Sequence, residues 1–393
     1  MTQALENISV LDLSNYIAGP FAAMLLADMG AKVVKIENTD GGDPFRKWGR
    51  EPKTYSPLFR SYNRNKKSMT LNLRTEEGRR LLLRMVEQAD VLIENFRPGV
   101  VDRLGINYGT SQSLNPRLIY CSISAFGQQG PYRDKPGFDT IGQCLSGLLS
   151  QISDPAVPQG PGLAFSDHLS GMYACYGILT ALMARERSGR GQKVETSLME
   201  ASMAFIGRSI TEYFATGDVP RPDSRSRQAG VFALLSGDGL PFVIHLSHLN
   251  KFFVSLANAC ERPDLLNDAR FQERDGRSLH YDALRQILQD IVKTQTRAHW
   301  LKVLTEHDVA TAPINRMDEV FEDSQVKHLQ PVLELEHPDY GTMHTVRSGV
   351  NLSETPFQVS QLPPKLGEHN AELLSALGYD REGIEAMRIK GIV

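Results

Sequence analysis

The first forty residues restrict the fold more than any other part of the chain. Residues 8–13 are a short apolar run, 21–29 read as a helix that Gly30 ends, and 32–36 are a second apolar run. Two short strands joined through a helix form a βαβ unit, whose strands run parallel and are covered on both faces. Pro20 suits the first turn of that helix, where its missing N–H costs nothing. The pattern then repeats. Residues 75–88 are helical with Thr75 as the start, and 90–94 and 118–124 read as strands. Residues 162–187 are a long helix broken by Ser188-Gly-Arg-Gly191, followed by a strand over 193–198 and a helix over 199–214. This alternation predicts an α/β fold built on an open, mostly parallel, Rossmann-like sheet.

At 393 residues the chain has room for a second domain. Residues 1–215 read as the N-terminal part of a large domain and 216–230, polar with Pro220 and Pro222, as a linker. Residues 231–235 and 241–246 flank Gly237-Asp-Gly239 as a hairpin. With helices over 248–260, 279–293 and 297–306 they predict a smaller α+β domain over 231–325. Residues 326–393 return to the large domain with short strands and a final helix near 368–377.

Hydrophobic content of 41% and a net charge of −3 exclude a global field that would recruit nucleic acid or anionic membrane. Cys121, Cys144, Cys175 and Cys260 contain no C-x-x-C pair and read as small core residues in a reducing compartment. The start, MTQALENISV, has no signal pattern. The longest apolar stretch, GLAFSDHLSGMYACYGILTAL over 162–182, carries Ser, Asp, His and Gly and is a poor membrane span. The expectation is a cytoplasmic protein without membrane or nucleic-acid partners.

Candidate chemistry centres on Asp167, at the mouth of that apolar helix. A carboxylate there caps free N–H groups. The same helix end keeps it ionised, and an ionised carboxylate can attack an activated acyl carbon. Position alone leaves cap and nucleophile both open. The loop 14–20 lies where α/β folds bind nucleotides, but it lacks G-x-G-x-x-G, so Glu37 as the ribose-binding acid of a dinucleotide dehydrogenase is the lesser reading. Residues 38–74 interleave Arg46, Lys47, Arg50, Lys53, Arg60, Arg64, Lys66 and Lys67 with Trp48, Tyr55, Phe59 and Tyr62. The negative net charge favours a solvated face or a multiply phosphorylated nucleotide there over RNA. His245 and His248 form H-x-x-H without an acidic partner, and no metal site is expected. There is no G-x-S-x-G and no P-loop.

Several segments in order resemble one family: VLDLSNYIAGPFAAMLLADMGAKVVKIE, NRNKKSMTLNL, DVLIENFRPG, NPRLIYCSISAFGQQGPYRDKPGFD, the apolar helix with RERSGRGQKVETSLMEA, then DARF, APINRMDEV and LGEHNAELLSALGY. Across essentially the whole chain this is similar to the class III CoA-transferases, the group of formyl-CoA transferase and carnitine CoA-transferase. The resemblance implies two interlocked chains, with the site between the large domain of one and the small domain of the other. It implies coenzyme A as acyl-CoA substrate and product, a small carboxylic acid as second substrate, and Asp167 as covalent nucleophile.

The resemblance also places the cofactor-binding positions. Ile17 and Ala18 fall in the first loop, and Asn38 after the second strand. Leu71, Asn72 and Arg74 flank the adenosine end. Asn95, Phe96 and Arg97 sit at a strand end, followed by Arg103 as phosphate partner and Lys135 as a nearby cation. Gly137, Phe138 and the second catalytic position, Asp139, line the thioester end. Formyl-CoA transferase has glutamine where Ile17 stands, arginine where Asn38 stands, and a glycine run that 226–230 lacks. These departures argue against formate and oxalate and for a larger or more apolar acyl group. The α-methylacyl-CoA racemases share the fold but use a histidine where Phe138 stands, and phenylalanine is no general base. Racemase and a non-catalytic CoA-binding homologue remain the alternatives. Arg225, Arg227 and His248 are candidates for a second carboxylate on the acceptor.

Overall fold

A computed structural model describes residues 3–49, 55–247 and 249–393. Arg50, Lys53 and His248 lie outside the described residues. The chain forms two compact units: Met1–Leu149 with Gln159–Gly217 and Val332–Val393, and Ser150–Pro158 with Asp218–Pro331.

The first unit holds a six-stranded sheet of β1 (Ser9–Asp12), β2 (Lys32–Glu37), β3 (Lys66–Thr70), β4 (Val91–Glu94), β5 (Ile119–Ser124) and β6 (Lys193–Ser197). Its order is β3-β2-β1-β4-β5-β6, and every neighbouring pair is parallel. Neighbouring residues of one strand serve opposite faces. Val10, Val91 and Ile93 pack with Ala22, Leu26, Ala174 and Ile178 of the helices Ala18–Asp28 and Phe165–Ser188. Leu11 and Leu92 pack with Leu81, Leu82, Leu374 and Met387 on the other side. Burial on both faces explains why these strands are continuous apolar runs. Chain order reverses between β1 and β4, which opens a crevice at the C-terminal edge of the sheet.

Parts of this unit differ from expectation. The stretch 38–74 contains β3, hidden because Lys66 points inward with 0% exposure. Arg46 and Arg64 are buried too, so the basic stretch is in good part a set of internal ion pairs rather than a solvated face. Glu37 is held by Arg46 at 2.7 Å and is not free to meet a ribose. The helix expected over 199–214 is two, Leu198–Phe205 and Gly207–Thr216. The C-terminal return carries an antiparallel pair, β10 (Val332–His337) with β11 (Gly341–Val346), and a helix Asn370–Ala376. A second helix, Arg381–Ile389, was not expected; Asp380 caps it by accepting from the Gly383 N–H. Of the cysteines, Cys121 and Cys260 are buried, but Cys144 is exposed.

The second unit has a three-stranded antiparallel sheet of β7 (Val231–Leu235), β8 (Pro241–His245) and β9 (Ala310–Pro313) in that order. The helices Asn250–Ala259, Tyr281–Val292 and Arg297–Glu306 cover it through Phe253, Leu284, Leu288 and Leu304. The stretch expected as a linker carries a helix, Ser224–Ala229. Within it Arg227 is bound to Asp223 and to both oxygens of Asp282, so it is not a spare cation for a substrate; Arg225 is exposed.

Candidate active site

A buried charge cluster builds the loop after β1. Asp12 accepts from the backbone N–H of Ser14 at 3.0 Å and from Lys66 Nζ at 2.9 Å. Lys66 also donates to Pro20 O and Asn63 Oδ1. Lys35 donates to Ser14 O at 2.8 Å and pairs with Asp43 at 3.0 Å, and Asp43 accepts from Tyr16 N. Burial alone would raise the Asp12 pKa, but Lys66 and Lys35 outweigh it and the carboxyl lies below its usual range. Burial depresses Lys66 to about 8 despite Asp12 beside it. These charges hold Tyr16 in the left-handed region at φ 68°. Asn95, just after β4, completes the clamp: its amide donates to Asn15 O at 2.8 Å while its oxygen accepts from Asn15 N at 2.9 Å.

The crevice holds a cavity of about 330 Å³. Its walls are Asn15–Ala18 from the first loop, Asn95–Pro98 after β4, Ile123–Ala125 at the end of β5, then Arg133, Lys135, Gly137, Phe138, Asp167 and Leu198. Ile17, Ala18, Asn95, Phe96, Arg97, Lys135, Gly137, Phe138 and Asp167 thus come together. Asn95 lines the cavity, but its amide is spent on the clamp. Gly137 is required by close approach, since a Cβ there would lie 2.5 Å from Ala125 Cβ. Arg133 and Asn15 were missed by sequence reasoning; the only signal for Arg133 was its place beside Lys135 in the same loop.

The remaining positions lie off the cavity wall. Asn38 is exposed and closes its own turn through Gly42, and the Leu71 side chain is 1% exposed in the core. Asn72 bonds Gly391 O and Arg74 N, while Arg74 and Arg103 are exposed. Asn38 and 71–74 follow β2 and β3, so they share the C-terminal edge of the sheet with the cavity.

Asp167 reaches the cavity because of a helix crossing. Gly171, one turn later, packs so closely that a Cβ would lie 2.7 Å from Ala18 O. Residues four apart share a helix face, so Asp167 stands beside the start of the helix Ala18–Asp28. The N–H groups of Ile17 and Ala18 have no acceptor among the described residues. Asp167 is not the cap. The helix Phe165–Ser188 starts after Ala164, which makes no side-chain cap, and Asp167 is its third residue. Its own N–H is capped from another helix, by Asp139 Oδ1 at 3.0 Å.

No group among the described residues donates to the Asp167 carboxylate. Burial first, and the Asp139 charge second, push it up to about 7, against the expectation that the helix end keeps it fully ionised. His168 Nδ1 donates to Ala164 O at 2.7 Å, and Nε2 is hydrogen-bonded with the Tyr62 hydroxyl at 3.1 Å. The Tyr62 pKa is raised by burial and then by Asp167. A carboxylate freed from partners in a cleft lined by arginine and lysine is suited to nucleophilic attack at a bound, anionic substrate.

A nucleophilic role for Asp167 requires the ionised form, so a covalent step on this group is expected to rise about tenfold per pH unit below about 7 and level off above it. Asp139→Asn removes the second cause of the shift and moves the inflection to lower pH, read from single-turnover rates against pH.

Among the described residues no helix is long and apolar enough to cross a membrane, and no group of three or more His, Cys, Asp or Glu could hold a metal ion. Comparison with known proteins finds relatives along nearly the whole chain. The chain is 34% identical to the succinyl-CoA–D-citramalate CoA-transferase of Chloroflexus aurantiacus, covering 99% of this chain and 98% of that protein. It is 38% identical to the acetyl-CoA:oxalate CoA-transferase of Acetobacter aceti, over 79% of this chain and 80% of the relative. The crystal structure of a CaiB/BaiF family protein from Brucella suis superposes with a TM-score of 0.84 at 31% identity, over 96% of this chain and all of that one. The profile of CoA-transferase family III spans residues 5–370. A parallel sheet with its crevice at the strand ends, an aspartate on the wall of that crevice and this full-length similarity lead to one assignment: the chain belongs to CoA-transferase family III, the class III CoA-transferases.

Proposed function

We propose that this enzyme moves CoA from a donor acyl-CoA to an acceptor carboxylic acid through covalent intermediates on Asp167. The observation that carries the reading is the Asp167 carboxylate, on the cavity wall and without a hydrogen-bond donor. An Asp167 oxygen attacks the donor thioester carbonyl, the C–S bond breaks, and CoA leaves as thiolate, so that the acyl group is now joined to Asp167 as a mixed anhydride. The thiolate attacks the aspartyl carbonyl, giving an aspartyl-CoA thioester and the donor acid as carboxylate. The acceptor carboxylate attacks that thioester and displaces the thiolate again. Attack of the thiolate on the acceptor acyl carbon then returns Asp167 and releases the new acyl-CoA. No net proton is consumed. The free N–H groups of Ile17 and Ala18 support the developing oxyanion. Arg97, Arg133 and Lys135, with Arg74 and Arg103 further along the sheet edge, meet the phosphates.

The racemase reading loses support. Phe138 cannot take a proton, and both oxygens of Asp139 already accept hydrogen bonds. Two relatives are named for dicarboxylic acids, citramalate and oxalate, and a dicarboxylate is the proposed acceptor class. With an oxalate enzyme among the relatives, the departures at Ile17, Asn38 and 226–230 do not exclude oxalate.

Both intermediates hydrolyse, so water must be kept out. The helix of Asp167 exposes Met172, Tyr176, Leu179 and Met183 along one stripe, with Met183 71% exposed. A second copy of the chain, interlocked as the resemblance implies, is the proposed cover. Light scattering is expected to give a dimer, and Tyr176→Glu with Met183→Glu to shift it toward monomer.

The deciding experiment is intact-protein mass after mixing with succinyl-CoA, with hydroxylamine as trap. A hydroxamate or CoA-sized adduct mapped to Asp167 is expected. Tight CoA binding with no adduct from any donor would overturn the reading.

A further inference from the structure

Beside the crevice lies a buried polar group without an assigned part, Gln143. Gln143 lies on the helix Asp139–Ser146, four residues after Asp139 and therefore on the same face. It is 0% exposed and does not line the cavity. Its amide nitrogen donates to Asp139 Oδ2 at 2.5 Å and to Leu163 O at 2.9 Å. Its oxygen is buried and has no partner among the described residues. The orientation is determined all the same, because a flipped amide would set its oxygen against two other oxygens. A buried acceptor left unpaired is costly and calls for a reason.

The reason lies in what the two donated bonds hold. Asp139 Oδ2 is tied by Gln143, so Asp139 Oδ1 is presented to the Asp167 N–H at 3.0 Å. Leu163 stands two residues before the helix Phe165–Ser188. One amide therefore grips both the group that caps Asp167 and the chain that leads into the Asp167 turn. Gly142, beside it, packs close enough that a Cβ would lie 3.0 Å from Ser166 Oγ, the residue before Asp167. The first turn of the nucleophile's helix has no cap of its own, so its position depends on these contacts.

We propose that Gln143 is a positioning residue for the reaction, aligning Asp167 through Asp139 and Leu163 without touching substrate. The proposal rests on Asp167 being the nucleophile, and the test separates the two. Gln143→Met keeps length and removes both donors. Gln143→Glu keeps shape and sets a carboxylate against Asp139. Asp139→Asn breaks the same bond from the other side should either fail to fold. Three quantities are read: the CoA dissociation constant, the single-turnover rate of trapped adduct from succinyl-CoA, and hydrogen exchange of the peptide 163–170.

A misplacement near 1 Å costs about 10²-fold in rate, so the adduct rate is expected to fall by about 10- to 100-fold at saturating donor. CoA binding stays within about threefold, since Gln143 is off the cavity wall. Exchange at 163–170 rises at least about tenfold, with 176–188 unchanged. Wild-type adduct rate and wild-type exchange in folded variants would overturn the proposal. Faster exchange in the variants with no adduct in the wild type would leave the positioning standing and remove the nucleophile reading instead.

Discussion

Asp167→Ala is expected to lower CoA transfer by at least about 10⁴-fold while CoA still binds, because the covalent route has no second carboxylate to use. Asp139 cannot substitute. One of its oxygens holds the Asp167 N–H and the other holds Gln143. Asp167→Asn should be equally inactive, and it should also be more stable. The folded protein raises the Asp167 pKa from 3.8 to about 7. Between those values the folded chain holds a proton that the unfolded chain has lost, so the contribution of this group to stability falls as pH rises. Removing the charge is expected to gain about 2 to 4 kcal/mol at pH 8, after a discount for solvent reaching the cavity, and almost nothing at pH 4. Urea unfolding of wild type and variant at the two pH values checks this. An equal gain at both would mean that packing, not charge, sets the difference. The ionised form, on which the proposed covalent route depends, is therefore the less stable one.

The second large effect is expected behind the cavity wall, at Lys66, which does not line the cavity. Lys66→Met leaves Asp12 buried, with its nearest cation gone and Lys35 at 3.9 Å. Removing one partner of a buried pair costs about 3 to 5 kcal/mol. The same change frees Pro20 O and Asn63 from their shared donor. The loop Asn15–Ala18 would then lose its support, and CoA affinity should fall together with the urea midpoint. Adding Asp12→Asn removes the stranded charge and is expected to recover part of the stability without the affinity. Recovery of both would show that the loop does not depend on the cluster.

These two sites differ in how far they could be read from residues alone. Asp167 stood out because a carboxylate interrupts an apolar stretch. Its family resemblance then pointed to chemistry. Lys66 looked like part of a basic surface, because a cation at an inward strand position hides the alternation that marks a strand. Glu37 invited a ribose-binding role for the same reason: nothing local shows that Arg46, nine residues on, closes over it. Asn95 was placed in the cavity by resemblance, but its pairing with Asn15, eighty residues away, is invisible in either segment.

The alternation of short apolar runs with helices was enough to call for a parallel α/β sheet, since those periodicities are local and each strand is buried on both faces. The hairpin of β7 and β8 was legible for the same local reason, through its turn residues. What the residues could not disclose is every feature that depends on distant segments meeting: the place of β3 at the sheet edge, the internal pairing of the basic stretch, and the cap of Asp167 by Asp139. The pKa of Asp167 belongs with these, because it is set by burial and by a charge from another helix. Helix start and sequence position alone favoured an ionised Asp167; the folded surroundings reverse that balance and leave a carboxylate poised near neutrality.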